Sequence, residues 1–312
     1  MQRSSWSEVG LNLSEHDIAA AFLPFVARHV DPEYDAWRRD IGRRKRKTLR
    51  KYLKRRLLGW LPGRGRDTTA VISEYGELWS DNHAKYRLGA PPTLSPWIWQ
   101  NRFFYAHPLG ATRVRHLILG AAIERLRPRR VLEVGCGDGI NLILLACRFP
   151  EIDFAGVELT REGYEAATLL QQLPVLPEAI QTYAPLPLAD PAGFRKIRFV
   201  QGNAADLPFP EGAFDLSLTV LALEQMERIR EQALREIARV TSGYSLMIEP
   251  FADVNATGWP RLNVIRRDYL RGRIADLARY GLEPEAMVDD YPQELFLRTC
   301  AVLARRKQTV SI

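Results

Sequence analysis

Along the second half of the chain, short apolar runs alternate with stretches whose apolar residues recur every three or four positions. Residues 131–134, 154–159, 197–202, 214–221 and 244–250 read as buried strands. Residues 140–148, a stretch from about 161, and 226–240 read as helices; in the last, Ile229, Leu234, Ile237 and Val240 share one face. A further helix is expected over 264–280, and two closely spaced strand candidates, 286–289 and 295–305, suggest an antiparallel edge. Repeated strand–helix units predict an α/β fold with a doubly wound, mainly parallel sheet covered on both faces.

The first third has a different texture. Residues 1 to about 36 read as helical, with Ser14 as a cap, Asp17 three positions later and Ile18, Phe22, Phe25 and Val26 as an apolar stripe; Pro24 should bend or divide it. Over 42–63, Leu49, Leu53, Leu57 and Trp60 recur at helical spacing beside Tyr52 and Leu61. Lys and Arg fill most other positions until Pro62–Gly63. Residues 64–109 show no clear period, and 96–108 are dense in aromatics; 110–126 are helical again. The chain therefore divides into a helical, basic N-terminal extension (1–105) and an α/β domain (106–312).

Composition adds two things. With 46% apolar and 26% charged residues the chain is globular in type, and no apolar run is long enough to predict a membrane-spanning helix. The first residues lack the apolar core of a secretory signal. Cys136, Cys147 and Cys300 are too few and scattered for a disulfide framework or a paired zinc site, so a reducing, cytoplasmic setting is expected and no metal. Charge is uneven. Between 38 and 66 the Lys and Arg face a single acid, Asp40, and outweigh the whole chain's net +7, so the remainder is acidic. Three readings of 43–61 stay open: a helix on an anionic membrane surface, on the inner face of a membrane; a solvated basic arm; and a nucleic-acid arm. The last is the weakest, because Tyr52 is nearly alone as a stacking aromatic.

The densest chemistry lies at Glu133-Val134-Gly135-Cys136-Gly137-Asp138-Gly139, where the first strand of the domain gives way to a helix. Glycines there permit a tight turn and close ligand approach, and the helix start offers free N–H groups. A dinucleotide fingerprint needs glycines at relative positions 1, 3 and 6; here they stand at 1, 3 and 5, which counts against NAD. Glu158, ending the second strand, is placed to accept two hydrogen bonds from a ribose diol. Gly202-Asn203-Ala204-Ala205-Asp206-Leu207-Pro208-Phe209 follows the third strand.

Together these elements resemble the class I S-adenosylmethionine-dependent methyltransferases, in particular the type 11 group that includes ubiquinone and menaquinone biosynthesis methyltransferases. VLEVGCGDG is similar to the family's first motif, GVELT to its second, and GNAADLPFPEGAFD to its GDAxxLPF…FD stretch; the likeness covers roughly residues 110–306. It implies a seven-stranded sheet in the order 3-2-1-4-5-7-6 and S-adenosylmethionine as cofactor. Glu133, Gly135, Cys136 and Gly137 would surround its methionine part, Glu158 the ribose hydroxyls, and Asn203 with the Ala204 backbone the adenine edge. Two departures stand out: Asn203 replaces the usual Asp, and Gln225 stands where the family often has His, so a role for that His does not carry over.

Methyl transfer is an in-line displacement by an O, N or C nucleophile, and a hydroxyl acceptor also needs a base. Candidates are Glu224, His83, His107 and His116, with Glu224 and His107 retained as catalytic expectations. Cys136 is expected to pack rather than react. Trp97, Trp99, Phe103, Phe104 and Tyr105 either wall an apolar acceptor pocket or pack the extension onto the domain. Tyr75 and Trp79 are candidates to close the cofactor site, and the proline-rich 174–194 is a candidate lid. The expected activity is methyl transfer to a small or lipid-linked acceptor at a membrane surface. The alternatives are an RNA or protein methyltransferase recruited by the basic arm, and a non-catalytic cofactor-binding scaffold; oligomeric state is not legible.

Overall fold

The computed structural model describes residues 4–6, 8–58, 72 and 94–307. Trp60, Leu61, Pro62, Gly63, Tyr75, Trp79 and His83, and with them the end of the 43–61 segment, lie outside the described residues.

In the N-terminal third, α1 (Glu15–Phe22) is followed by β1 (Val26–Val30), α2 (Asp35–Leu58), β2 (Ser95–Trp99) and β3 (Arg102–Ala106). The domain then runs α3 (Pro108–Leu126), β4 (Arg130–Val134), α4 (Ile140–Arg148), β5 (Asp153–Glu158), α5 (Arg161–Gln171), α6 (Glu178–Tyr183), β6 (Arg198–Gln201) and β7 (Phe214–Val220). It closes with α7 (Arg230–Val240), β8 (Thr241–Glu249), α8 (Gly258–Arg267), β9 (Leu282–Val288), β10 (Gln293–Glu294) and β11 (Cys300–Arg306).

Seven strands form the main sheet in the order β6-β5-β4-β7-β8-β11-β9, the arrangement expected from the motifs. Every pair is parallel except those of β11, which runs antiparallel to both β8 and β9. Strand order reverses at β4, so the carboxyl ends of β4, β5 and β7 frame the crevice where ligands of such sheets bind. Inward positions of β4 and β5 are buried throughout (Val131, Leu132, Val134, Phe154, Ala155, Val157), as a sheet covered on both faces requires.

The extension is not purely helical. Ser14 accepts from the Asp17 N–H, and Asp17 reaches back to the Ser14 N–H, completing the capping box of α1. Pro24 ends that helix in a single 3-10 turn, and the chain continues as β1. With β2, β3 and the two-residue β10, β1 builds a second, antiparallel sheet in the order β1-β3-β2-β10. β1 replaces the end of the helix expected over 1 to about 36, and the aromatic residues at 97–105, where no period is legible, favour the extended state. Two further expectations change. The helix read over 264–280 is two pieces, α8 and a 3-10 turn at 274–280, and the helix read from 226 begins at Arg230.

One apolar cluster joins Trp6, Ile18, Phe22, Trp97 and Phe104 of the extension to Val114, Ile118, Leu142 and Leu216 of the domain. The proline-rich 174–194 is part of this packing: Leu176, Ile180 and Tyr183 are buried, Tyr183 Oη donates to the Leu109 carbonyl (2.9 Å), and the N–H groups of Ala189 and Asp190 both donate to the Cys147 carbonyl. It clasps α3 and α4 instead of hanging over the crevice as a lid. α2 buries Trp37 and Ile41 against Val30, Phe103 and Tyr105, and its far end lies along α8.

Candidate functional site

Immediately after β4 the chain turns through Gly135, Gly137 and Gly139, with φ of 77°, 57° and 75°. These values are costly for residues with a Cβ. Space forbids one as well: a Cβ on Gly135 would stand 2.6 Å from that of Ala222, and one on Gly139 2.6 Å from the Phe199 ring. Gly139 then opens α4.

Two buried carboxylates flank this loop. Glu158 Oε2 accepts the Gly137 N–H (3.0 Å), while Oε1 accepts the Thr160 N–H (2.9 Å) and hydroxyl (2.7 Å). Glu133 Oε1 accepts from the Asn141 amide, whose oxygen faces His116 Nε2. With the amide nitrogen committed to Glu133, His116 must donate through Nε2. Glu133 Oε2 is buried and has no partner. Burial pushes the Glu133 carboxyl up to about 8 and His116 down to about 4. Beyond β6, Asn203 Oδ1 accepts the Ala205 N–H (3.0 Å) beside buried Ala204, and the Gly202 N–H donates to the Glu158 carbonyl.

These residues fit an S-adenosylmethionine. Glu133 Oε2 is an unpaired buried acceptor, suited to an ammonium or a bound water, and the glycine loop gives the ligand a close backbone approach. Glu158 uses three of its four lone-pair positions within the protein. One remains, on Oε2, open to a ligand hydroxyl. Cys136 is a packed thiol. Burial, and then the charges of Glu133, Glu158 and Asp138, push its pKa up and withhold the reactive thiolate.

Next to the loop opens a second cleft, with Trp97, Arg115, Leu221, Glu224, Asn263 and Arg267 in its wall. Leu221 carries a φ of 55°, a strained turn for a branched residue. That turn directs the N–H groups of Ala222, Leu223 and Glu224 onto buried Glu249 at the end of β8 (2.9, 3.0 and 3.3 Å). Glu224 is thereby fixed in the cleft wall, its Oε1 accepting from Gln225 and its Oε2 buried without a partner. Burial and then the Glu249 charge push Glu224 up to about 8, opposed by Arg267 and Arg115.

The structure thus gathers Glu133, Gly135, Cys136, Gly137 and Glu158 around one loop, with Asn203 and Ala204 one strand over, and places Glu224 beside them. His107 is different. Its Nδ1 accepts the Leu109 N–H (3.1 Å) and caps α3, so the lone pair a base would use is committed to the helix end. His116 supports Glu133 and is closed to the cleft's chemistry by burial. Of the aromatic group, Trp97 lines the cleft, whereas Phe104 packs against Phe22 and Trp37 lies edge-on to Phe103 and Tyr105. Sequence reasoning missed Asn141, Arg115, Asn263, Arg267 and Glu249. The available signals were a charge inside the apolar run 114–123, an i,i+4 polar pair at 263 and 267, and a lone acid closing an apolar strand.

The sheet order, the glycine crossover and the acid at the end of β5 define a class I methyltransferase fold. A family model described as a methyltransferase domain matches residues 132–245, so that stretch carries a class I S-adenosylmethionine-dependent methyltransferase domain. Among curated proteins, ajmaline N-methyltransferase of Rauvolfia serpentina is 30% identical over 123 residues, 39% of this chain and 36% of its own length. Fatty-acid O-methyltransferase of Mycolicibacterium smegmatis is 31% identical over 143 residues, 45% of this chain and 44% of its own length. The chain therefore spans less than half the length of these relatives. Among solved structures, the [4+2]-cyclase SpnF superposes with a TM-score of 0.54 at 18% identity, covering 78% of this chain and 98% of that one. That likeness shows the fold alone, and a fold does not set a reaction.

Proposed function

We propose that this protein transfers the methyl group of S-adenosylmethionine to a small or lipid-linked acceptor held in the cleft beside the glycine loop. One observation carries the reading: Ala222, which closes on Gly135 at the cofactor loop, is two residues from Glu224 in the wall of the second cleft. Two ligands would meet there end to end. Glu133, Gly135, Cys136 and Gly137 would hold the methionine part, Glu158 the ribose, and Asn203 with the Ala204 N–H the adenine. When bound, the cofactor supplies an activated, electrophilic methyl group. The protein's part is to align acceptor and methyl and to exclude water, worth up to ~7–11 kcal/mol in well-oriented cases, with Glu224 placed to take a proton. The relatives named as N- and O-methyltransferases of an alkaloid and of fatty acids support a small acceptor. Calorimetry with S-adenosylhomocysteine, followed by transfer of a labelled methyl group to an acceptor panel, tests this. Folded protein that does not bind the cofactor product sinks it.

In this reading 106–312 is the catalytic domain, and 1–105 supplies the cleft's outer wall and an attachment surface. Leu49 and Leu53 stand 41% and 45% exposed on α2 among Arg46, Arg50 and Lys54. Such a face suits the surface of an anionic bilayer, each cation contributing ~1 kcal/mol near it. No helix among the described residues is long and apolar enough to cross a membrane. Flotation with phosphatidylserine vesicles should fall sharply in a Leu49→Glu/Leu53→Glu variant; equal flotation would discard the attachment.

A further inference from the structure

We propose that the acceptor is an anionic hydroxy compound, its anion held by Arg115 with Arg267 beside it and the hydroxyl to be methylated facing Glu224. This rests on the methyl-transfer reading above and names the substrate class of the same site.

Four buried polar atoms in the wall of one cleft have no partner: the donors Trp97 Nε1 and Arg115 Nε, the acceptor Asn263 Oδ1, and Glu224 Oε2, which accepts when its carboxyl is ionised. Trp97 and Asn263 are each 3% exposed and Glu224 6%. Unpaired buried groups are costly to leave so, and four in one wall call for partners that a bound ligand, or water, would supply. The set is mixed. A neutral alcohol would meet the acceptors and leave the guanidinium unmet; a plain fatty carboxylate would do the reverse. A molecule bearing both an anion and a hydroxyl offers partners of both kinds.

Charge agrees with this pairing. Among the described residues neither Arg115 nor Arg267 has a carboxylate within salt-bridge distance, although ten other arginines of the domain do. Arg115 gives one terminal nitrogen to the Thr112 hydroxyl (3.4 Å), and Arg267 gives one to the Tyr269 hydroxyl (2.7 Å). The planar donor forks beyond those bonds match carboxylate or phosphate oxygens. Glu294 is the cleft's other carboxylate. Lys51 of α2 lies near enough to Arg266, Lys47 and Arg267 to feel their charge, and Arg266 near enough to Arg267, and a local excess of cations attracts anions. In the reaction, which needs Glu224 in its ionised form and so gains as pH rises toward about 8, the hydroxyl oxygen forms a bond to the methyl carbon as its proton passes to the Glu224 carboxylate at Oε2. The carbon–sulfur bond breaks with its electron pair going to sulfur, leaving an ether and a neutral thioether.

The test uses full-length protein loaded with S-adenosylhomocysteine, with that binding measured first. Its absence takes down the methyl-transfer reading itself, whereas normal cofactor binding isolates the present proposal. The probes are 3-hydroxydodecanoate, lauroyl lysophosphatidic acid and the neutral methyl ester of 3-hydroxydodecanoate. At least one anionic probe should bind on the order of tenfold or more tightly than the ester, about 1.4 kcal/mol; which one does distinguishes a carboxylate from a phosphate source. In Arg115→Gln, and more so in Arg115→Gln/Arg267→Gln, that preference should vanish while affinities for the ester and for S-adenosylhomocysteine hold, which also shows the cleft still folded. Equal binding of ester and anions by the wild type, no anionic probe binding the loaded protein, or a preference that survives the double change would each overturn it.

Discussion

The two halves of the crevice are built on different plans. On the cofactor side, residues 133–141, 158–160 and 202–205 are contiguous pieces at the ends of three adjacent parallel strands, held by backbone geometry and by carboxylates that accept backbone N–H groups. On the acceptor side, Trp97, Arg115, Glu224 and the α8 pair Asn263 and Arg267 come from four separate places along the chain, Trp97 from before residue 106, and converge where the second sheet and α8 approach the strand ends. A generic electrophile is gripped by a generic fold feature. The chemistry that distinguishes one acceptor from another is assembled from long-range contacts.

The largest effects should come from breaking the cofactor side. In Gly135→Val the new side chain must accept a left-handed φ and collide with Ala222, strain of about 1–3 kcal/mol before any ligand is considered. Titration should show S-adenosylhomocysteine affinity lost by a hundredfold or more, on the order of 3 kcal/mol. Glu158→Gln is milder. An amide cannot present acceptors to both the Gly137 N–H and the Thr160 pair, so its NH2 opposes a donor and affinity should fall by ~10–100-fold, the worth of hydrogen bonds to a charged group. Affinity within twofold of wild type in either variant would mean the cofactor does not lie in this loop.

That contrast explains what could be read from the residues alone. Strand order, the glycine turn and Glu158 depend on local spacing and on strand-to-strand adjacency, both of which leave periodic traces in a single sequence. The second sheet does not: β1 and β3 pair across more than seventy residues of chain, and β10 is two residues long, so no local pattern announces them. The aromatic run at 97–105 is ambiguous for the same reason, since whether a ring faces solvent, core or cleft is settled by what packs on the other side. His107 shows the limit at a single residue. It is a titratable group near a pocket, and only the Leu109 N–H on its Nδ1 reveals a helix cap.

An intermediate effect should come from loosening the acceptor side without touching the cofactor loop. Asp268 is 7% exposed, ends α8 in a left-handed conformation, and binds Arg55 of α2 at 2.7 Å together with Arg271. It ties the basic helix to the helix that carries Asn263 and Arg267. Asp268→Asn keeps a residue that tolerates the backbone but removes the charge. It should cost about 1–3 kcal/mol in unfolding free energy and speed amide exchange across residues 35–58, with S-adenosylhomocysteine affinity unchanged. Should cofactor affinity fall in step with stability, the two halves are not independent.

The smallest effect separates the two sides by pH. Glu224 sits in the acceptor wall with its carboxyl pushed up to about 8 by burial and by Glu249, with Arg267, Gln225 and Arg115 acting the other way. In the unfolded chain it titrates near its ordinary 4.5. Between those values the folded protein holds a proton that the unfolded chain releases, so this group's contribution to stability is complete below about pH 4.5 and declines as pH rises through about 8. The amide introduced by Glu224→Gln has no such proton to hold. The loss of thermal stability of ligand-free protein from pH 5 to pH 8.5 should therefore be shallower in that variant than in wild type, while Glu133, also pushed up to about 8 by burial, keeps its own share of the slope in both. Parallel curves from scanning calorimetry would show that Glu224 is charged in the resting cleft, and that it needs no rise in pH before accepting a proton.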